Sequence, residues 1–457
     1  MTLPERFVAR AVRDLGASEA EALCAALDAA PAVSVRLHPD KTLRGGLPRV
    51  AEGAVPVPWC AEGRYLAERP SFTLDAAFHA GAYYVQEASS QFVGRLVGDI
   101  AGCRVLDLCA APGGKTTLYA SLAGPEGLVV ANEIDRRRVL ALSDNVRRWG
   151  TGNVAVTCCD PHAVCDLEGW FDVVAVDAPC SGEGMFRKDH EARAAWSEGN
   201  VRLCAARQDE ILREAWRALR PGGVLLYSTC TFNLDEDEGT LRRMLAWAGD
   251  AVAESDPVAV DPAWGVVEGA VGPFRTFRFY PHRARGEGFF AAVARKAPDA
   301  DGRSRLPRGR RQPVAPVDRA AAAELRRWVC DPDRMRFGAV GECCYAWHAA
   351  QADAVAALSA ALPVLYSGVA LGQLFKGRLK PDGALALFTG LDRGALPAAE
   401  LSEEEALRYL RRQEIAAAPL AEGINLVCRD SRPLGFAKRI GGRVNNLYPN
   451  AWRILKN

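Results

Sequence analysis

Two cysteines and one glycine turn carry the chemistry that this chain offers on first reading. Cys230 lies in Tyr227-Ser228-Thr229-Cys230-Thr231, after the turn Gly222-Gly223 and an apolar run that predicts a strand leading to the thiol. Cys180 ends Asp177-Ala178-Pro179-Cys180 and opens the loop Ser181-Gly182-Glu183-Gly184, the kind of segment that displays reactive side chains. A thiol at a strand end can act as a covalent nucleophile, and a carboxylate close to a second thiol can give or take a proton. A lone cysteine is more often an inert core residue. Two at the same edge of one sheet point to catalysis, and the residues by themselves leave open which thiol attacks.

The third feature is Asp107-Leu108-Cys109-Ala110-Ala111-Pro112-Gly113-Gly114-Lys115, followed by Thr116-Thr117, which reads as strand end, turn and helix start. Its glycines let a ligand approach the main chain. Cys109 stands where a Walker loop needs its first glycine, and no GxGxxG is present, so neither a phosphate cradle nor a dinucleotide fingerprint is complete. Glu133, just past the next predicted strand, is placed to accept both hydroxyls of a ribose, so a nucleoside cofactor fits. Asp160 follows the third strand and either meets an adenine edge or serves only as a cap or turn former.

These residues need a scaffold, and the hydrophobic pattern supplies one. Strands are expected at residues 104–108, 128–132, 154–157, 173–177, 224–228 and 288–294, with helices at 116–123, 136–149 and 202–219. Strands alternating with crossover helices imply an α/β fold, a parallel sheet covered on both faces, with the functional groups at the carboxyl ends of its strands. Ahead of this core, spanning 76–296, residues 1–75 read as an α+β extension: an amphipathic helical stretch at 4–29, then the extended run 33–37. Residues 297–318 read as a linker rich in proline and arginine, and 319–457 as a smaller α+β region. There, helices are expected at 320–329 and 401–414, with strands and turns at 364–374, at 384–389 and over the last thirty residues.

Composition narrows the class. Lys and Arg number 57 against 56 Asp and Glu, so a nucleic-acid surface has to come from local clusters and not from the net charge of +1. Fourteen cysteines in 457 residues are far too sparse for a disulfide scaffold and are expected to be mostly reduced. The charged amino terminus and the lack of 18 consecutive uncharged apolar residues point to a cytoplasmic protein with no membrane partner. No metal site is expected, since Cys158-Cys159 and Cys343-Cys344 lack ligand spacing.

Asp107-Leu108-Cys109-Ala110-Ala111-Pro112-Gly113-Gly114-Lys115, the stretch 177–189 and Tyr227-Ser228-Thr229-Cys230-Thr231 together resemble the Nol/Nop/Sun family of RNA cytosine-5 methyltransferases. The likeness also takes in Val85-Gln86-Glu87-Ala88-Ser89-Ser90 and Gly286-Glu287-Gly288-Phe289-Phe290. The arrangement looks most like the bacterial RsmF-type branch acting on small-subunit rRNA, with a carboxyl-terminal part similar to PUA RNA-binding modules. What the resemblance implies is a class I Rossmann-like methyltransferase core using S-adenosyl-L-methionine. The cofactor would be held by Cys109, Ala110, Ala111, Pro112, Gly113, Gly114, Lys115, Glu133, Asp160 and Asp177. It further implies Cys230 as the nucleophile on cytosine carbon 6, Cys180 in release of the product, Asp177 at ring nitrogen 3 and Lys115 at the base edge. In DNA cytosine methyltransferases the cysteine after proline attacks instead, which would give Cys180 that role. The expected partner is RNA, 16S rRNA or the 30S subunit, with no DNA and a monomeric protein. A tRNA target, or an idle methyltransferase fold serving ribosome assembly, stands as the alternative.

The tail adds an RNA-facing expectation. Arg432, Lys438, Arg439, Arg443 and Arg453 alternate with Phe436, Tyr448 and Trp452, which reads either as charges and rings for RNA or as a basic face over a small core. Arg303, Arg305, Arg308, Arg310 and Arg311 in the linker read as a phosphate grip or as plain spacer.

Overall fold

The computed structural model describes residues 2–164, 167–300 and 314–456. Five short runs rich in valine, alanine and leucine, Arg104–Asp107, Leu128–Asn132, Val154–Thr157, Phe171–Asp177 and Leu219–Thr229, pair in parallel. Residues on both faces of these strands are buried, because the helices Gly114–Ala123, Arg138–Trp149 and Glu198–Ala218 return across them. Phe289–Lys296 joins Leu219–Thr229 antiparallel, and the hairpin Val267–Val271 with Phe274–Phe279, which the sequence expectation does not contain, extends the sheet outward. Strand order, not direction, reverses between the parallel Arg104–Asp107 and Phe171–Asp177, the switch point at which a crevice opens at their carboxyl ends.

The amino-terminal stretch is two helices, Glu5–Leu15 and Ala17–Asp28, separated by Gly16, whose φ of 84° ends the first. Val33–Leu37 follows in a separate four-stranded sheet. From it Arg36, only 1% exposed, reaches into the core: it donates to Gln86 Oε1 at 2.7 Å, Thr117 Oγ1 at 2.6 Å and the Gly114 carbonyl at 3.0 Å. Burial brings its guanidinium down to about 10. The extension is thereby fastened to the helix that follows the glycine turn.

Beyond residue 319 the chain does not stay apart from the core. Val364–Ser367 adds antiparallel to Val154–Thr157 as the edge strand of the ten-stranded sheet. Gln351 donates to the carbonyls of Pro125 and Gly127, and Trp452 donates to Asp144 Oδ1 at 2.8 Å. Gly150, at φ 76°, ends the helix Arg138–Trp149 and lies where any side chain would run into the Leu387 carbonyl. A cut near residue 300 therefore divides the sequence but not the sheet. The linker arginines Arg303, Arg305, Arg308, Arg310 and Arg311 lie outside the described residues.

Two expectations need correction. Residues 384–389 are not extended: Gly383–Leu387 is a short helix, started by the Asp382 carboxylate accepting the Ala384 amide at 2.8 Å. The tail rings are not free for bases either, since Phe436 and Tyr448 are 1% exposed and Trp452 is 8% exposed. They are core of the small carboxyl-terminal region, and Arg432 is turned inward onto the Gly45 and Gly46 carbonyls. Of the two readings the tail allowed, a basic face over a core is the one its rings obey.

Candidate active site

Register brings the two cysteines together. Asp177 pairs with Ser228 across the parallel strands, so the loops leaving both strands start side by side. Cys180 Sγ and Cys230 Sγ are 3.3 Å apart, close enough for one thiol to donate to the other sulfur. The hydrogen bond to Cys230, then burial, push the Cys180 thiol well up, and the Cys230 and Glu236 charges push the same way. Cys180 is thereby held as a thiol beside the Cys230 sulfur.

Across from them Lys115 Nζ sits 2.8 Å from Asp177 Oδ2, while Ser228 Oγ donates to Asp177 Oδ1 at 2.8 Å. The Lys115 side chain is 13% exposed and lies 5.1 Å from the Phe289 ring centre. Burial opposes its charge, but the Asp177 charge and hydrogen bond outweigh that penalty, so the ammonium is held above its ordinary range. Asp177, at 37%, is the more open member of the pair. Cys230, Cys180, Asp177 and Lys115 therefore form one constellation.

The glycine turn is fixed by its own carbonyls and amides. Ala110 N–H donates to the Asn132 carbonyl at 2.9 Å, Arg138 donates to the Ala111 carbonyl at 2.7 Å and Asn145 to the Pro112 carbonyl at 2.8 Å. Gly113 has φ 109°, a conformation closed to other residues, and turns the chain into the helix. Cys109 is no second nucleophile: burial first, then Asp107 and Asp177, push its thiol far up. Glu133 follows Leu128–Asn132, its carboxylate accepting the Asp135 amide at 3.0 Å and lying 3.3 Å from Arg138. Asp160 stands further out, exposed, and accepts the His162 amide at 2.9 Å, so its cap role is realised.

Asp107 is the residue that reading the sequence did not single out. It is 1% exposed, takes the Thr116 hydroxyl on Oδ2 at 2.6 Å, and leaves Oδ1 buried with no donor. Burial raises its carboxyl to about 7, with the Asp177 and Glu133 charges adding to the rise against Thr116 and Lys115. An unfilled buried acceptor beside a glycine turn suits a cationic nucleoside ligand. A ligand cation favours the ionised carboxylate, so S-adenosylmethionine affinity should rise as pH passes upward through 7, by up to about tenfold per unit below that point. Calorimetry from pH 5.5 to 8 should show this slope in the wild type and a flat profile in Asp107→Asn. A flat wild-type profile would refute the link.

A second group that sequence reading missed ties the two catalytic loops together. Glu183, 1% exposed, accepts the Thr231 hydroxyl at 2.6 Å and the Phe232 amide at 2.8 Å on Oε2, and Trp196 Nε1 at 3.0 Å and Asn233 Nδ2 at 3.1 Å on Oε1. Glu236 accepts the Ser181 amide and Gln208 Nε2 at 2.9 Å each, and Asn233 Nδ2 at 2.7 Å. Gly184 N–H donates to the Cys230 carbonyl at 2.8 Å. In sequence these acids look like ordinary loop charges; only the pairing of the loops reveals them as its glue. Glu183→Ala would leave several buried donors unpaired and should cost about 3 kcal/mol in urea unfolding. A loss below about 0.5 kcal/mol, the scale of an ordinary surface substitution, would contradict this role.

Comparison with known proteins agrees with this geometry. Residues 3–88 match the N-terminal domain of 16S rRNA methyltransferase RsmF, 100–295 match 16S rRNA methyltransferase RsmB/F, and 397–454 match the methyltransferase RsmF PUA domain. Ribosomal RNA small subunit methyltransferase F of Erwinia tasmaniensis is 34% identical over 424 residues, covering 86% of this chain and 84% of that protein. The chain belongs to the RsmF family. The counterpart from Escherichia coli is likewise 34% identical over 426 residues, with the same coverage. A crystal structure of a methyltransferase homologue from Pyrococcus horikoshii is 26% identical and aligns with a TM-score of 0.54 over 64% of this chain and 95% of that one. The chain is an S-adenosylmethionine-dependent RNA methyltransferase with a Rossmann-like core and a carboxyl-terminal PUA domain. No helix among the described residues is long and apolar enough to cross a membrane.

Proposed function

We propose that this chain methylates carbon 5 of a cytidine in 16S rRNA of the small ribosomal subunit, through a covalent bond between Cys230 and carbon 6. The observation that carries this reading is the Cys180–Cys230 contact of 3.3 Å, placed beside the Lys115–Asp177 pair at the carboxyl ends of adjacent strands. Carbon 5 of cytosine is a poor nucleophile until a thiolate adds at carbon 6. The Cys230 sulfur forms that bond, and the ring electrons move toward nitrogen 3 and carbon 5. As charge develops at nitrogen 3, the Lys115 ammonium passes a proton to it through Asp177, 2.8 Å away, and takes it back when the thiolate leaves. S-adenosylmethionine supplies an electrophilic methyl on a sulfonium, and Asp107, Glu133, Asp160, Asp177 and the turn Cys109 to Lys115 are the residues that would hold it. Transfer of the carbon 5 proton to a water molecule then restores the double bond and expels the Cys230 thiolate, with the Cys180 thiol beside the departing sulfur.

Two neighbours of Cys230 support its assignment as the attacking sulfur. The Cys180 sulfur lies 3.3 Å from it, and the Lys115 ammonium is the cation of the same constellation. Residues 1–75 and 319–457 are assigned as RNA-binding parts around the 76–296 core, in a monomeric cytoplasmic protein with no DNA partner. The test is incubation with methyl-labelled S-adenosylmethionine and, separately, free 16S rRNA, 30S subunits and tRNA, followed by nucleoside analysis. Labelled 5-methylcytidine in 16S rRNA or 30S subunits supports the reading. Label in tRNA alone, or in no RNA, rejects it.

A further inference from the structure

An open groove of about 450 Å³ lies where the amino-terminal extension, the loop after Cys180 and the segment ahead of Phe289 meet. Its apolar wall is small and includes Pro31, Val33 and Leu66, while its rim carries exposed Arg283 and Arg285, with Arg187 largely buried behind them. The Arg285 guanidinium is spread over the Tyr65 ring at 4.3 Å and has no ion pair among the described residues. Exposed Arg283 shares Glu19 with His282, at 2.8 Å each. Arg187 and Lys188 both turn to one buried carboxylate, Glu287, at 3.6 and 3.8 Å. The remaining nearby acid, Glu87, already accepts the Ser90 and Glu287 amides at 2.9 Å each. Arg187, Lys188, Arg283 and Arg285 thus face three carboxylates, Glu19, Glu87 and Glu287, which leaves one positive charge in excess.

A chain of contacts leads from this groove to the reacting thiols. Arg187 donates to the Gly286 carbonyl at 3.0 Å. Two residues on, Gly288 packs so closely on Gly184 that neither position has room for a side chain, and Gly184 N–H holds the Cys230 carbonyl at 2.8 Å. The next residue, Phe289, is the ring beside Lys115.

We propose that this groove grips the phosphate backbone of the RNA strand flanking the cytidine that enters the site, an inference that rests on the RNA-methylating reading above. A base leaving its stack needs its flanking backbone held, and arginine forks on an open rim suit phosphate oxygens better than a buried apolar ligand or a closed metabolite pocket would. An acidic protein segment is the competing occupant, and it would show no salt-linked RNA effect.

The experiment is filter binding of the full chain to an unmodified 16S rRNA transcript between 50 and 200 mM KCl, alongside methylation of the same transcript. The double variant Arg283→Glu/Arg285→Glu should lose at least roughly tenfold in RNA affinity, and the slope of log affinity against log salt should fall by roughly 0.7 for each phosphate contact removed. Arg285→Gln, which removes only one charge, should move both quantities in the same direction by a smaller amount. S-adenosylmethionine binding serves as the measure of folding, and Arg242→Glu, exposed on the helix Glu238–Ala248, as the charge control. Unchanged RNA affinity, or weaker affinity with the wild-type salt slope, overturns the groove. If the wild type binds RNA through these arginines yet methylates none, the assigned reaction fails and the groove stands.

Discussion

Cys180→Ala should trap the enzyme on its RNA: denaturing gels of a reaction with S-adenosylmethionine and 16S rRNA are expected to show a slow-migrating protein–RNA band approaching one RNA per protein. Cys180 lies 3.3 Å from Cys230, and its thiol is held protonated by that contact and by burial. Removing it deletes the hydrogen-bond partner of the departing Cys230 thiolate. Lys115 stays beside the sulfur in both addition and departure, so the block falls on the release step to which the family resemblance assigns Cys180. Turnover should fall by roughly 10²–10⁴, the range for loss of one positioned proton-transfer group. A variant that turns over normally and leaves no band would remove Cys180 from the reaction.

Cys230→Ala is expected to behave in the opposite way. With no sulfur to add at carbon 6, carbon 5 stays unreactive, and methylation should drop by on the order of 10⁴-fold or more with no covalent band. S-adenosylmethionine binding should persist, because the glycine turn is pinned by Asn132, Arg138 and Asn145 and not by the Cys230 loop. A band that survives in Cys230→Ala and vanishes in Cys180→Ala would assign the attack to Cys180. The doubly substituted protein should form no band, since release matters only once addition has occurred.

How much of this was legible in the sequence depends on where each signal resides. Continuous apolar runs such as Leu128–Asn132 and Val154–Thr157 reproduce the predicted strands to the residue, because a strand buried on both faces leaves no ambiguity of register with solvent. Local motifs placed Cys180, Cys230 and the glycine turn at strand ends for the same reason. Pairing between distant segments is what the sequence conceals. Nothing in Val364–Ser367 announces that it completes the edge beside Val154–Thr157, and nothing in Glu183 or Glu236 marks them as buried partners of Asn233. The tail misled for a related reason: rings interleaved with arginines have the same spacing whether the rings face RNA or, as Phe436, Tyr448 and Trp452 do, fill a core. Asp107 was read as a strand end, and its buried, donorless oxygen emerges only once Thr116 is seen to claim the other one.

The most direct measurement is to trap the reaction on 16S rRNA carrying 5-fluorocytidine, whose fluorine blocks loss from carbon 5, and to locate the linked nucleotide by peptide mass spectrometry. Linkage at Cys230, dependent on S-adenosylmethionine, is the expected result. Linkage at Cys180, or a methylated product formed with no protein linkage at all, would contradict the covalent mechanism assigned to this site.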